Sequence, residues 1–188
     1  MFVSPESIVN FPEHSTDGVS LRLIQLPDLQ ELTAAYVRNR THLAPWEPER
    51  PEEFFTDSGQ HKILQGQLEG LAAGTTYPAA LFEGHRLIGR FTLTGIIRGP
   101  FQSASLGYWV DKSVAGKGLA TLAVRAICDI AGSELGLHRI EASTLRHNHA
   151  SQKVLNKCGF EQIGMAPHYL QIAGHWQDHN LYQRILHR

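Results

Sequence analysis

Between Ser105 and Ala131 a strand, a glycine turn and a long helix follow one another without interruption. Leu119, Leu122, Ala123, Ala126, Ile127, Ile130 and Ala131 recur at i, i+3, i+4, i+7, i+8, i+11 and i+12, which predicts one amphipathic helix closed by Gly136. Ser105 to Val110 reads as a strand, and Gly107 within it marks a bulge or a close backbone approach. The turn between them carries Gly116-Lys117-Gly118. Two glycines at the mouth of a helix let backbone N–H groups approach an anion with no Cβ in the way. The helix start adds partial positive charge from its unpaired amides, so this corner predicts a phosphate or pyrophosphate site.

Two familiar phosphate loops do not fit. A P-loop needs Gly-Lys-Ser/Thr after four intervening residues, which Gly116-Lys117-Gly118 does not supply. A dinucleotide fingerprint needs a third glycine where this chain has Thr121.

The flanking sequence predicts alternating strands and helices. Residues 1–17 read as a leader, and 18–188 as a single domain. Val19, Leu21 and Leu23 alternate with polar residues as a strand, and Pro27 opens a helix that stops near Asn39. Pro45, Pro48 and Pro51 forbid its continuation. A second helix is expected from about Glu52 to Leu71, weakened by Gly59 and Gly66. Tyr77–Phe82 and Arg86–Ile97 read as strands joined at Glu83-Gly84-His85. His138–Thr144 reads as another strand, followed by a short helix from Asn148, whose side chain can cap it, to Lys157 before Gly159. Tyr169–Ile172, the turn Ala173-Gly174 and the stretch from Trp176 suggest a final hairpin.

Composition narrows the function class. The 188 residues are 42% hydrophobic and 19% charged, a balance that forms a core. The formal net charge of -1 gives no basic surplus for gripping nucleic acid. No apolar run approaches the ~20 residues of a membrane span, and residues 1–6 lack the basic and apolar regions of a signal peptide, so a soluble, cytoplasmic protein is expected. Cys128 and Cys158 read as small buried apolar residues inside helices. The close histidine pairs, His147 with His149 and His175 with His179, lack a completing ligand at usual spacing, so no metal site is expected.

A second block, Asn148-His149-Ala150-Ser151 through Lys157-Cys158-Gly159-Phe160, follows the glycine turn at a distance that carries a resemblance. Together the two blocks resemble the GNAT superfamily of acetyl-CoA-dependent N-acetyltransferases. Asn39-Arg40-Thr41-His42-Leu43-Ala44-Pro45-Trp46-Glu47-Pro48, Gly107-Tyr108-Trp109-Val110 and Trp176-Gln177-Asp178-His179 are similar to its RimJ/RimL branch. The resemblance implies a mixed α/β (α+β) fold, a central twisted and splayed mixed β-sheet flanked by helices. It implies acetyl-CoA as co-substrate, held by Tyr108, Trp109, Val110, Ala115, Gly116, Lys117, Gly118, Leu119, Ala120, Asn148 and Ser151. Ala115 stands where the family usually has Gln or Arg, which removes a side-chain contact and leaves the backbone donors.

The implied acceptor is a primary amine, foremost the N-terminal amine of a ribosomal protein. A small-molecule amine, or a silent acyl-CoA-binding regulator, is the alternative. A monomer or homodimer is expected. In relatives the serine of Asn-x-x-Ser lies near the CoA sulfur, which makes Ser151 the expected proton donor, with the Val110 N–H polarising the thioester carbonyl. Two residues compete as base: His168, where relatives tend to carry an acid, and Glu141 on the central strand. Trp46 either lines the cleft or anchors its loop.

Overall fold

A computed structural model describes residues 8–11 and 18–187. Among the described residues, eight strands form one mixed sheet in the order β1-β2-β3-β4-β5-β6-β8-β7. The strands are β1 (Val9–Asn10), β2 (Val19–Leu23), β3 (Tyr77–Glu83), β4 (Arg86–Ile97), β5 (Ser103–Val110), β6 (Arg139–Leu145), β7 (Glu161–Ile172) and β8 (His175–Ile185). The α-helices among the described residues are α1 (Leu29–Leu43), α2 (Asp57–Ala72), α3 (Leu119–Ser133) and α4 (His149–Lys157). The mixed, helix-flanked sheet is the expected fold class. None of the described helices is long and apolar enough to cross a membrane.

The helices cover both faces of the sheet. Leu32, Ala35 and Leu64 of α1 and α2 pack on Ala80, Phe82 and Leu87. On the opposite face, Ala123, Ile127 and Ala131 of α3 and Leu155 of α4 pack on Ala79, Leu81, Phe91, Leu106 and Ile140. Strand β3 is therefore buried at six consecutive positions, Tyr77 to Phe82, rather than at alternate ones.

One junction departs from regular pairing. Strand β5 is antiparallel to β4 but parallel to β6, and the parallel register covers only Ser103–Arg139, Ala104–Ile140 and Ser105–Glu141. From Leu106 onward β5 stays with β4, while β6 stays paired with β8 as far as Leu145↔His179. The sheet forks there, and the gap between its arms sets the position of the site.

Several boundaries differ from the sequence reading. Pro27 lies in a 3-10 turn, Leu26–Asp28, and α1 begins at Leu29. The helix does not stop at Asn39 but runs to Leu43, because Asn39 is a buried polar residue whose amide has partners at Ala35 and Asp111. The second helix is divided into a 3-10 turn, Glu52–Phe55, and α2, which Thr56 caps by accepting from the Gly59 N–H at 3.1 Å. A side chain at Gly59 would stand 1.9 Å from the Glu53 carbonyl oxygen, so a glycine is required where the two pieces meet. The final hairpin begins at Glu161, earlier than Tyr169. The leader reading falls outside the described residues except at 8–11, where Val9 and Asn10 pair with Leu21 and Ser20. Cys128 and Cys158 are buried free thiols, the latter just past the end of α4.

Candidate active site

The glycine turn takes the form its residues demand. After β5, Lys112–Val114 makes one 3-10 turn, Ala115 is extended, and Gly116 and Gly118 adopt φ +79° and +84°. A Cβ at either glycine would meet no protein atom within 4 Å, so backbone conformation rather than packing calls for glycine, and the space above is open to a ligand. Gly118 is the N-cap of α3 and supplies no side-chain cap. Its carbonyl accepts from Thr121 and Leu122, at 3.0 and 3.2 Å, while the amides of Leu119 and Ala120 precede the first intrahelical acceptor. Ala115, Gly116, Lys117 and Gly118 are exposed, and Leu119 is buried under the turn.

The amide directions of β5 follow from its ladder. The Asp111 N–H donates to the Ile88 carbonyl at 2.8 Å, in register with Gly89↔Val110 and Arg90↔Trp109. Hydrogen bonding alternates along an antiparallel pair, so Trp109 and Asp111 face β4 while Tyr108 and Val110 direct their amides into the gap.

A hydroxyl pair spans that gap. Tyr108 stacks on Phe91 with centroids 5.7 Å apart, and its phenol oxygen lies 2.8 Å from Ser151 Oγ in the first turn of α4. Burial pushes the Tyr108 phenol up, beyond what the Ser151 contact pulls back, so the phenol keeps its proton. Asn148 Oδ1 accepts from the Ser151 N–H at 3.1 Å and caps α4. Tyr108, Val110 and Ser151 therefore face one gap, Asn148 caps the helix that carries Ser151, and the 115–120 turn follows the end of β5, whereas Trp109 points to the other face and donates from Nε1 to the Tyr36 hydroxyl at 3.3 Å.

Neither expected base is hydrogen-bonded to the hydroxyl pair. Glu141 sits at the fork, in register with Ser105, and is ion-paired with Arg139 at 2.7 Å. His168 lies in the β7 irregularity between Ala166 and Leu170 at φ +48°, exposed, with its N–H donating to Asp178 Oδ1 at 3.1 Å. Trp46 lies against His147 with centroids 5.6 Å apart, bringing the loop after α1 to the mouth of α4. Among the described residues no group of three or more His, Cys, Asp or Glu is placed to hold a metal.

Sequence reasoning missed the polar clamp beneath the glycine turn. Asp111, at the end of β5, accepts from Arg38 Nε at 2.7 Å, Asn39 Nδ2 at 2.9 Å, and Ser113 N and Oγ at 2.9 and 2.8 Å. Asn39 Oδ1 in turn accepts from the Lys112 N–H at 3.0 Å. Burial raises the Asp111 carboxyl, but these donors outweigh it and hold the group well below the usual carboxylate range. Asn39 and Arg38 lay in the segment read as a helix end, so their role carried no periodic signal.

A forked mixed sheet with a glycine turn at a helix mouth beside the fork defines an acyltransferase of the GNAT type. Residues 19–161 match the acetyltransferase (GNAT) domain family, and the chain belongs to it. The [ribosomal protein uS5]-alanine N-acetyltransferase of Escherichia coli is 34% identical over 169 residues, covering 89% of this chain and 87% of the relative. The crystal structure of the ribosomal-protein-S5-alanine acetyltransferase from Vibrio fischeri superposes with a TM-score of 0.89 at 35% identity, over 95% of this chain and 96% of that one. Mycobacterium smegmatis RimJ in complex with CoA-disulfide superposes with a TM-score of 0.85 at 30% identity, over 90% and 83%. The chain is an N-acetyltransferase of the RimJ/RimL type, and acetyl-CoA is the co-substrate.

Proposed function

We propose that this chain transfers the acetyl group of acetyl-CoA to the N-terminal amine of a protein, with a ribosomal protein as the leading acceptor. The observation that carries the reading is the fork: amides of Tyr108 and Val110 face a gap bridged by the Tyr108–Ser151 hydroxyl pair, and the glycine turn stands at its end. Support for the acceptor comes from the relatives named for ribosomal-protein alanine. A cytoplasmic setting accords with such an acceptor.

Each residue has a part in the proposed transfer. Amides of Gly116, Gly118, Leu119 and Ala120 hold the pyrophosphate, with Ala115 and Lys117 beside them. The Val110 N–H polarises the thioester carbonyl. Trp109, on the far face, keeps this stretch of β5 seated against Tyr36. Ser151 gives its hydroxyl proton to the departing thiolate and regains one from water, while the Tyr108 phenol, keeping its proton, donates a hydrogen bond to Ser151 Oγ through the 2.8 Å contact. Asn148 holds Ser151 at the start of α4. The ammonium proton goes to His168 through water, with Glu141 at the fork as the alternative acceptor.

Mass analysis of acetyl transfer from labelled acetyl-CoA to ribosomal-protein N-terminal peptides, polyamines, free amino acids and aminoglycosides tests the reading. Acetylated peptide N-termini support it. Transfer only to small amines replaces the acceptor, and CoA binding without turnover replaces the enzyme with a regulator.

A further inference from the structure

A cavity of about 340 Å³ opens between the loop after α1 and the turn joining β7 to β8, walled by Tyr36, Arg40, Glu47, Arg50, Phe55 and Ala173. Pro45, Pro48 and Pro51 stiffen the loop. The Ala173 N–H donates to the Glu47 carbonyl at 3.0 Å, which pins the loop to the turn. Ala173 and Gly174 both have positive φ, +48° and +78°, and a side chain at Gly174 would press on the Glu49 carboxylate at 3.1 Å. Two segments far apart in the chain thus build one wall.

The charges around this cavity leave one carboxylate loosely matched. Glu47 is four-fifths buried, and Arg50 Nε stands 3.6 Å from its carboxylate, too far for a good hydrogen bond. The Arg50 guanidinium lies over the Phe54 ring at 4.5 Å. Arg40 is bound by Glu52 and lies over Phe55 at 4.2 Å. The charged groups lining the cavity are Arg40, Arg50, Glu47 and Glu49, two of each sign; Glu52, outside the lining, takes up Arg40, so Glu47 and Glu49 share the Arg50 cation.

The cavity wall reaches β5 on the face opposite the Tyr108–Ser151 pair. Tyr36 in its wall accepts from Trp109, whose neighbours in β5 are Tyr108 and Val110. Trp46, next to Glu47, rests on His147 ahead of α4. Helix α1 and the loop after it therefore touch β5 through Tyr36 and the segment ahead of α4 through Trp46.

We propose that Glu47 binds the acceptor's ammonium in this cavity and so selects cationic amines for transfer. The assignment rests on the amine-acceptor reading above and names the residue that enforces it. Burial pushes the Glu47 carboxyl up and Arg50 pulls it back, so its charge is costly in the free enzyme and an incoming ammonium offsets that cost. The charged groups facing it are Arg50 and Glu49 from the loop and Arg40 from α1; Tyr36 adds a phenol, and buried Arg90 of β4 lies behind that ring. A neutral acceptor gains no ion pair with Glu47.

The test compares wild-type enzyme with Glu47→Gln and Glu47→Asp, using acetyl-CoA and a peptide beginning with alanine. Charge-assisted hydrogen bonds contribute enough for a KM increase of roughly tenfold to a hundredfold in Glu47→Gln, with kcat changed less and partial recovery in Glu47→Asp. Equal KM in wild type and Glu47→Gln overturns the inference. Wild-type enzyme that acetylates other amines but not this peptide overturns the protein-acceptor reading alone, and the same KM comparison on the amine consumed then decides the role of Glu47. Where Glu47→Gln does not fold, wild-type enzyme saturated with CoA is titrated with the peptide and with its analogue carrying a hydroxyl in place of the α-amine. At least tenfold weaker binding of the analogue supports the proposal, and equal binding overturns it.

Discussion

Replacing Asp111 removes the node that ties α1 to the start of the glycine turn. Its side chain is 3% exposed and gathers Arg38, Asn39 and Ser113. Hydrogen bonds to a charged group contribute about 1.5–3 kcal/mol each, but they are not additive here. Arg38 is 31% exposed, so water recovers part of what it loses, whereas Asn39 is 1% exposed and recovers little. Breaking a buried pair by deleting one partner costs about 3–5 kcal/mol, and the exposed arginine places Asp111→Ala near 3 kcal/mol. For a chain of this size that lowers Tm by roughly 6–12 °C, read by calorimetry or denaturant titration. The same variant should bind CoA more weakly, because Lys112 loses the Asn39 oxygen that orients it. The pH dependence has a definite sign. A carboxyl held below its unfolded value adds stability above the unfolded pKa of about 3.9 and loses it as pH falls further. Asp28, which Arg22 binds at 2.7 Å and holds low against the opposing effect of burial, acts in the same window, so the wild type is compared with Asp111→Asn rather than read alone. A Tm change under 2 °C in Asp111→Ala, or wild-type and Asp111→Asn curves that stay parallel below pH 4, would refute the account.

Two further outcomes concern the chemistry. Ser151→Ala should lower kcat at least about tenfold, measured by thiol release; unchanged kcat removes the assignment. His168→Ala should lower kcat/KM and change the shape of its pH profile, since an imidazole base must be neutral to accept a proton. A profile identical to wild type moves the role to Glu141.

How much could be read in advance varied with the kind of signal. Helix α3 was legible because its apolar residues keep one period over four turns, and the Gly116–Gly118 turn because two positive-φ positions leave a chemical trace in the residues themselves. Asn148 was legible as a cap because capping is local. Asn39 was not, since a polar residue inside a helix reads as an end unless its distant partner, Asp111, is known. The break at Thr56 escaped notice for a similar reason: the collision that makes Gly59 necessary involves the carbonyl of Glu53, a contact created by the bend itself. Glu47 carries no periodic signal either. Its burial depends on the Ala173–Gly174 turn, which the sequence places correctly as a turn without showing what it rests against.

The fork has an energetic consequence that can be measured directly. Strand β5 past Ser105 is satisfied by β4 on one side only, and β6 past Glu141 by β8 on one side only. Amides turned into the gap must find water or a ligand, because leaving them unpaired costs roughly as much as a lost hydrogen bond. A ligand that bridges the arms therefore binds the folded chain and not the unfolded one. At 100 times its Kd, CoA should add about 2.7 kcal/mol, equivalent to a Tm increase of roughly 5–11 °C. Gly118→Ala supplies the control: at φ +84° an alanine costs about 1–2 kcal/mol, and its Cβ enters the open space over the turn. That variant should start lower and gain less from CoA than the wild type. Equal CoA-induced shifts in both proteins would show that the pyrophosphate is held elsewhere, and no shift in the wild type would remove the gap as the binding site.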